Sequence, residues 1–437
     1  MSAGARVRTV ALLAVAAVAL AGCGGDDGGD GGGGGGGGGA APALEGRGPI
    51  TFATGKDTSG NMQKLVDEWN ADHPDEKVTI TELPESADDQ RNQMIQNAQV
   101  ESDAYTVLNL DVIWTAEFAA NRWIVELPQE EFELDQFLEP AVETGMYRDR
   151  MYAMPVYSDG GLLYYRQDLL EKAGVEPPET WADMLAACEA VQKLPEGKNM
   201  GCYSGQFDKY EGLTVNFSEA VQSAGGHVVD ESGKPTVDSQ EAKDGLNFLV
   251  DAHKNGQIPQ AAITYKEEES RRAFQDGQLV FLRNWPYVYA LAGATDGSSK
   301  VAGKFGVAPL PGKDGPGVST LGGHNFAISS FAPNKATALD FIKFFASEEA
   351  QRSNLLATSQ APTRQALYEE QELVDQFPYL PTLLASIENA EPRPRVVRYG
   401  DVTAAIQEAA YGAITGETTT DDALATLQTE LEELTAE

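Results

Sequence analysis

The sequence predicts an α/β protein of two lobes, each a mixed sheet flanked by helices, and three observations carry that prediction. Pro49 to Trp114 alternates strand and helix patterns, as a parallel sheet with right-handed crossovers requires. The body of the chain, from about Gly48 to Glu437, is long for one hydrophobic core and suggests two domains. The stretch Met154–Gly174, MPVYSDGGLLYYRQDLLEKAG, reads as strand, polar break, strand and helix, with Asp159 at the break. On its residues alone, this stretch fits either a crossing between two lobes or an ordinary hairpin with an exposed Asp.

The first element is Pro49–Thr54, a strand running into the polar loop Gly55–Gly60. Met62, Leu65, Val66 and Trp69 then recur at i, i+3, i+4, i+7, the spacing of a helix with one buried face. Lys77–Leu83 is the next strand, and Asp88 to about Glu101 the next helix, with Met94, Ile95 and Ala98 inward. Tyr105–Leu110 is a strand that ends at Asp111-Val112-Ile113-Trp114. Ligands of such sheets bind beyond the carboxyl ends of strands. The loop containing Asp57 and Thr58, the segment at Asp111 and the segment Tyr157–Asp159 all lie at such ends.

Beyond Gly174, Thr180 is a helix N-cap with Asp183 three residues on, and Tyr210–Ala224, Glu241–Asn255 and Tyr265–Asp276 are helical. Leu279–Leu282 is a buried strand leading to Trp285 at a strand-to-helix corner, with Pro286 in the first turn of the helix. Lys304–Ala308 is a strand. Leu321–Ile328 repeats the polar-break-then-strand form and reads as a second crossing, with a third near Ala361–Glu370. Helices follow at Asn334–Phe345, Ser347–Ala357, Leu380–Asn389, Asp401–Thr415 and Thr420–Thr435, with Pro392–Arg395 a rigid, extended loop.

The first 22 residues have the form of a signal peptide. Arg6 and Arg8 precede an apolar run, Val10–Leu20, too short for a mature transmembrane helix. Leu20-Ala21-Gly22-Cys23 resembles the bacterial lipobox, in which the cysteine carries a diacylglycerol; the alternative is a plain signal peptide with an incidental Cys23. Gly24–Gly39 holds only Gly and Asp, a flexible coil suited to a tether, so residues 23–47 read as a lipid-anchored linker. The chain carries 32 Lys+Arg against 67 Asp+Glu, a net −35. That balance argues against nucleic acid or an anionic membrane surface as a partner, and disfavours strongly anionic ligands. In an exported protein the remaining cysteines, Cys188 and Cys202, pair as a disulfide; a zinc site is the rival, short of ligands because no His lies near.

YSDGGLLYYRQDLLEKAG, RNWPYVYAL, TLGGHNFAIS with the helix after it, and PRPRVVRYGDVTAAIQ together resemble the extracellular sugar-binding proteins of ABC importers, most closely the maltose/trehalose branch. The resemblance spans essentially the whole body. It implies a two-lobed periplasmic-binding-protein-like fold of type II: an N-terminal lobe of residues 48–157 plus 324–365, and a C-terminal lobe of 158–323 plus 366–437. It implies a monomer without enzymatic activity, cofactor or metal, held at the outer face of the cell membrane, that closes on a sugar and presents it to permease subunits. By motif, the family's ligand positions fall on Asp111, Asp159, Trp285, Gly323 and Arg393, with Asp57, Thr58 and Arg91 matched more loosely. Tyr157 adds an aromatic plane, and Trp114 reads as core. His324 departs from the pattern, because relatives often carry an aromatic residue after the Gly-Gly.

The residue types suit that chemistry. Sugar hydroxyls call for buried carboxylates, amides and Arg, and the C–H face of a sugar calls for an aromatic ring. The resemblance implies a disaccharide such as trehalose or maltose, with another oligosaccharide or a phosphorylated glycerol-type ligand as the alternative. Asp111 and Asp159 could serve as a glycosidase pair, but the chain lacks His-Glu-x-x-His, Gly-x-Ser-x-Gly and Ser-x-x-Lys and has four histidines, His73, His227, His253 and His324.

Overall fold

The computed structural model describes residues 44–57, 59–230 and 232–435. The leader, Cys23, most of the linker and Thr58 lie outside them. Among the described residues nine strands build the two larger sheets: β1 (Ile50–Thr54), β2 (Val78–Glu82), β3 (Val107–Asp111), β4 (Ala153–Asp159), β5 (Leu162–Tyr165), β6 (Gly201–Ser204), β7 (Leu279–Asn284), β8 (Gly306–Ala308) and β9 (Gly322–Ile328). The five-stranded sheet has the order β2-β1-β3-β9-β4, and the four-stranded sheet β8-β5-β7-β6. Helices α1 (Asn61–Asp72), α2 (Ala87–Gln99), α3 (Gln167–Ala173), α4 (Trp181–Gln192), α5 (Glu211–Gln222) and α6 (Tyr399–Thr415) are those the site depends on.

β1, β2 and β3 run parallel, as the alternating pattern predicts. Side chains alternate across the sheet. Phe52 packs on Phe326, ring centroids 4.7 Å apart, in a core with Phe341 and Phe345. Its neighbour Ala53 faces the opposite core with Leu108, Trp114 and Phe118. Trp114 is therefore a core residue. In β5, Leu163 joins one core of the four-stranded sheet, and Leu162 and Tyr164 join the other.

Met154–Gly174 is a crossing and not a hairpin. β4 pairs with β9 in one sheet, while β5 pairs with β7 and β8 in the other, so the chain changes sheets across Gly160-Gly161. α3 ends at Gly174, whose φ of 71° is the left-handed conformation that closes a helix. The segment from β8 to β9 crosses back. The N-terminus of α4 carries the predicted capping box between Thr180 and Asp183, and a disulfide joins Cys188 of α4 to Cys202 of β6.

Two expectations need correction. The helix after Trp285 begins at Val288, so Pro286 lies in the turn ahead of it and not in its first turn. β8 begins at Gly306, two residues later than the apolar pattern indicates. Among the described residues no helix is long and apolar enough to cross a membrane, and no group of three or more His, Cys, Asp or Glu could hold a metal ion.

Candidate functional site

Strand direction assembles the site. β3 and β4 both run antiparallel to β9, which lies between them, so their carboxyl ends flank its beginning. The register sets His324 opposite Asp111 on one side and Tyr157 on the other, and sets Gly322 opposite Asp159. In the second sheet Leu162 pairs with Asn284, which brings the end of β7, and Trp285 after it, to the Gly160-Gly161 crossing. Asp111, Tyr157, Asp159, Gly323 and His324 thus share one sheet edge, and Trp285 reaches the same edge from the other sheet.

Gly323 is required where it stands. Its φ is 114°, and a β-carbon there would lie 2.4 Å from the Tyr157 carbonyl oxygen. A β-carbon on Gly322 would lie 2.8 Å from the rim of the Trp285 indole. The Tyr157 and His324 rings meet with centroids 4.9 Å apart and planes tilted by 32°. Burial pushes the Tyr157 hydroxyl far above its ordinary value, and the negative charges of Asp159, Asp111 and Asp57 add to the rise. Burial holds the His324 imidazole below its ordinary value; Asp111 opposes that and Arg393 reinforces it. Among the described residues the buried His324 Nδ1 has no hydrogen-bond partner.

Arg393 is 2% exposed and joins the two halves. Its Nη2 donates to Asp111 Oδ1 at 2.6 Å, and its Nη1 donates to Glu211 Oε1 at 2.6 Å. Asp111 ends β3 of the five-stranded sheet, and Glu211 opens α5, which packs in the core of the four-stranded sheet. Glu211 also accepts from the Tyr399 hydroxyl and from Thr403 Oγ1 at 2.7 Å. Burial raises the Glu211 carboxyl above the usual range, and the Arg393 charge works against that.

Among the described residues Asp159 has no such partner. Burial pushes its carboxyl up to about 7; Arg283 pulls it down and Asp111 pushes it further up. A carboxyl at the end of a strand, poised between its two protonation states at neutral pH, can accept or donate a hydrogen bond.

Two further predicted residues also have protein partners. Asp57 caps α1: its Oδ1 accepts from the Ser59 amide at 2.8 Å and hydroxyl at 2.6 Å, and its Oδ2 accepts from the Met62 amide at 2.9 Å. Arg91 makes a two-pronged pair with Glu117, at 2.8 and 2.5 Å, and its guanidinium lies against Gly400.

Sequence reasoning missed Glu211, Glu219, Arg283 and Tyr399. Arg283 is fully buried on β7, where the apolar run gave no sign of it. It donates to both carboxylate oxygens of Glu219, at 2.7 and 2.5 Å, and to Gln206 at 3.0 Å. Every residue of α5 is buried, Glu211 and Glu219 included. A helix with polar residues on all sides and no free face must pair its charges internally, and that was the available signal.

The description "Bacterial extracellular solute-binding protein" matches residues 54–352. A relative from Deinococcus radiodurans, named "Probable ABC transporter-binding protein", is 31% identical over 393 residues, covering 87% of this chain and 92% of that one. A "Mannitol-binding protein" of Pseudomonas aeruginosa is 25% identical, covering 89% and 94%. The solved structure "Maltose bound T. maritima MalE3" superposes with a TM-score of 0.84 at 36% identity, covering 88% of this chain and 99% of that one. With its fold, its crossings and most of its length accounted for, the chain belongs to the bacterial extracellular solute-binding protein family, whose members bind solutes and do not transform them.

Proposed function

We propose that this chain captures a neutral polyhydroxylated ligand outside the membrane and delivers it to the permease of an ABC importer. The favoured ligand is a disaccharide such as maltose or trehalose. The observation that carries this reading is the β9 register, which gathers Asp111, Tyr157, Asp159 and His324 at one edge beside Trp285. That set combines hydroxyl-binding polar groups with an aromatic platform. A structure titled for bound maltose, similar over most of the chain, supports it. The mannitol-binding relative supports a polyol as the second reading. A phosphorylated ligand is disfavoured, because Asp111, Asp159 and Glu211 would repel it.

In this reading residues 48–157 with 324–365 form one lobe, and 158–323 with 366–437 the other. The ligand binds one lobe first, and contacts from the second favour the closed state. Asp111, Tyr157, Asp159, Trp285, Gly323, His324 and Arg393 contact it. Asp57, Thr58 and Arg91 are the more loosely matched ligand contacts. The protein works as a monomer, tethered through a lipid on Cys23.

Calorimetric titration with maltose, trehalose, other disaccharides and mannitol tests the reading. One of them should bind, and Asp159→Ala and Trp285→Ala should each weaken it at least tenfold. Unchanged affinity in both variants would refute the site, and hydrolysis of a disaccharide by the purified protein would refute the non-enzymatic role. Cys23→Ala should release the protein into the medium.

A further inference from the structure

Beneath the proposed ligand edge lies an ion pair that no ligand role explains. The Arg283 guanidinium sits 3.9 Å from the centre of the Trp285 ring, over one face of it, and Arg283 is 1% exposed. Its partner Glu219 also accepts from the Thr320 amide at 3.2 Å, at the entry to β9. The adjacent Ser319 hydroxyl accepts from the Gly161 amide at 2.6 Å, in the β4–β5 crossing. A β-carbon on Gly161 would lie 2.8 Å from Glu219 Oε1 and 3.0 Å from Arg283 Nη2, so the crossing rests directly on the pair. One buried ion pair therefore touches the aromatic platform and both segments that join the sheets.

We propose that Arg283, held by Glu219, is a positioning and specificity-determining residue: it fills one face of Trp285, leaves the other for a single sugar ring, and fixes the distance from that ring to Asp159. The inference rests on the ligand reading above. A cation over an indole is attracted by the ring's negative face, and more strongly where water is excluded. Arg, unlike Lys, can stack flat on the ring while making a two-pronged bond to a carboxylate.

The same guanidinium supplies the positive charge that Asp159 feels. The groups facing Asp159 are Arg283, Asp111 and the hydroxyls of Tyr157, Tyr164, Tyr368 and Tyr379. Burial raises all four tyrosines above their ordinary value, so they stay neutral between pH 5 and 9. Removing Arg283 thus shifts Asp159 upward.

The test uses the mature protein and two readouts. One is the emission attributable to Trp285, obtained by difference from Trp285→Phe and followed from pH 5 to 9. The other is the affinity for maltose and trehalose over the same range. Arg283→Met combined with Glu219→Gln avoids stranding a buried charge. That double variant should shift Trp285 emission to longer wavelength, weaken sugar binding at least tenfold and move the pH midpoint upward. Arg283→Lys should keep the midpoint within about half a unit of wild type yet leave the emission shifted, a separation that loss of packing alone would not give. Wild-type emission and midpoint in a folded double variant would overturn the proposal. If that variant does not fold, Glu219→Gln alone must show the emission shift, and its absence would equally overturn it. Should neither these sugars nor the other disaccharides and mannitol bind the wild type, the ligand reading fails, while the emission and its pH midpoint still decide the role of Arg283.

Discussion

Arg283 and Arg393 are both fully buried, and each is held by a glutamate of the same helix, Glu219 and Glu211, two turns apart on α5. Their surroundings differ. Arg283 draws its anchors, Glu219 and Gln206, from the half that carries the four-stranded sheet. Arg393 divides its charge between that half and the five-stranded sheet, through Glu211 and Asp111. One ion pair stiffens a platform within a half, and the other fastens the halves together. Burying charge is costly in either place, because desolvation can exceed the attraction gained. Such pairs are better read as fixing geometry than as adding stability, and the two fix different geometries.

The largest expected effect breaks this comparison at its strongest point. Arg393→Met leaves Asp111 and Glu211 facing each other without a cation, and removing one member of a buried ion network costs about 3–5 kcal/mol. Urea denaturation should register that loss, and small-angle scattering should show a larger radius of gyration. Arg283→Met should destabilise comparably but leave the radius unchanged. Equal radii for the two variants would end the distinction.

Much of this architecture was legible in the sequence, for reasons that also explain what was not. Met62, Leu65, Val66 and Trp69 announce a helix, because one buried face must recur every third or fourth residue. The crossing at Asp159-Gly160-Gly161 was legible as a polar break between two apolar runs. The insertion of β9 between β3 and β4 was not, because periodicity reports which residues are buried and not which strand lies beside them. Arg283 and Glu219 escaped notice because an isolated charge reads as surface until its partner, 64 residues away, is known. Asp57 and Arg91, matched by motif as ligand contacts, also serve locally, Asp57 accepting from the Met62 amide of α1 and Arg91 pairing with Glu117. Polar residues near a cleft can serve both purposes with the same chemistry.

The next effect acts on one half alone. The disulfide between Cys188 and Cys202 ties α4 to β6 within the four-stranded half. Replacing both cysteines with Ser should cost roughly 2–4 kcal/mol of stability. Sugar affinity at 25 °C should stay within about twofold of wild type by calorimetry, because the site edge is held by Arg393 and Arg283 instead.

Asp159 gives a pH-dependent effect of comparable size. Its native carboxyl titrates at about 7, against an ordinary value of about 3.9 in the unfolded chain. Between those values the folded state keeps a proton that the unfolded state has lost. The contribution of Asp159 to stability is therefore full below about pH 4 and falls as pH rises toward 7. Ligand affinity should run the other way, strengthening as Asp159 ionises. Thermal melts at pH 5 and pH 8 should differ more for wild type than for Asp159→Asn, and an equal difference would remove Asp159 as the cause.

The smallest expected effect probes the second contact between the halves. α6 packs largely in the core of the four-stranded half, yet Tyr399 in its first turn is buried among Leu83, Met94 and Trp114 of the other. Gly400 beside it lets the helix close onto Arg91: a β-carbon there would lie 2.3 Å from Arg91 Nη2 and 2.6 Å from its Cζ. A free arginine would swing aside at little cost, but Arg91 is pinned to Glu117 by two hydrogen bonds. Gly400→Ala should therefore cost about 1 kcal/mol, near the low end for overpacking, and it should appear as roughly fivefold weaker sugar binding. Ala is the better helix former, so the helix itself should not suffer. The same substitution in an Arg91→Gln background isolates the contact. There the penalty should shrink below twofold, and an undiminished penalty would show that Gly400 does not limit closure through Arg91.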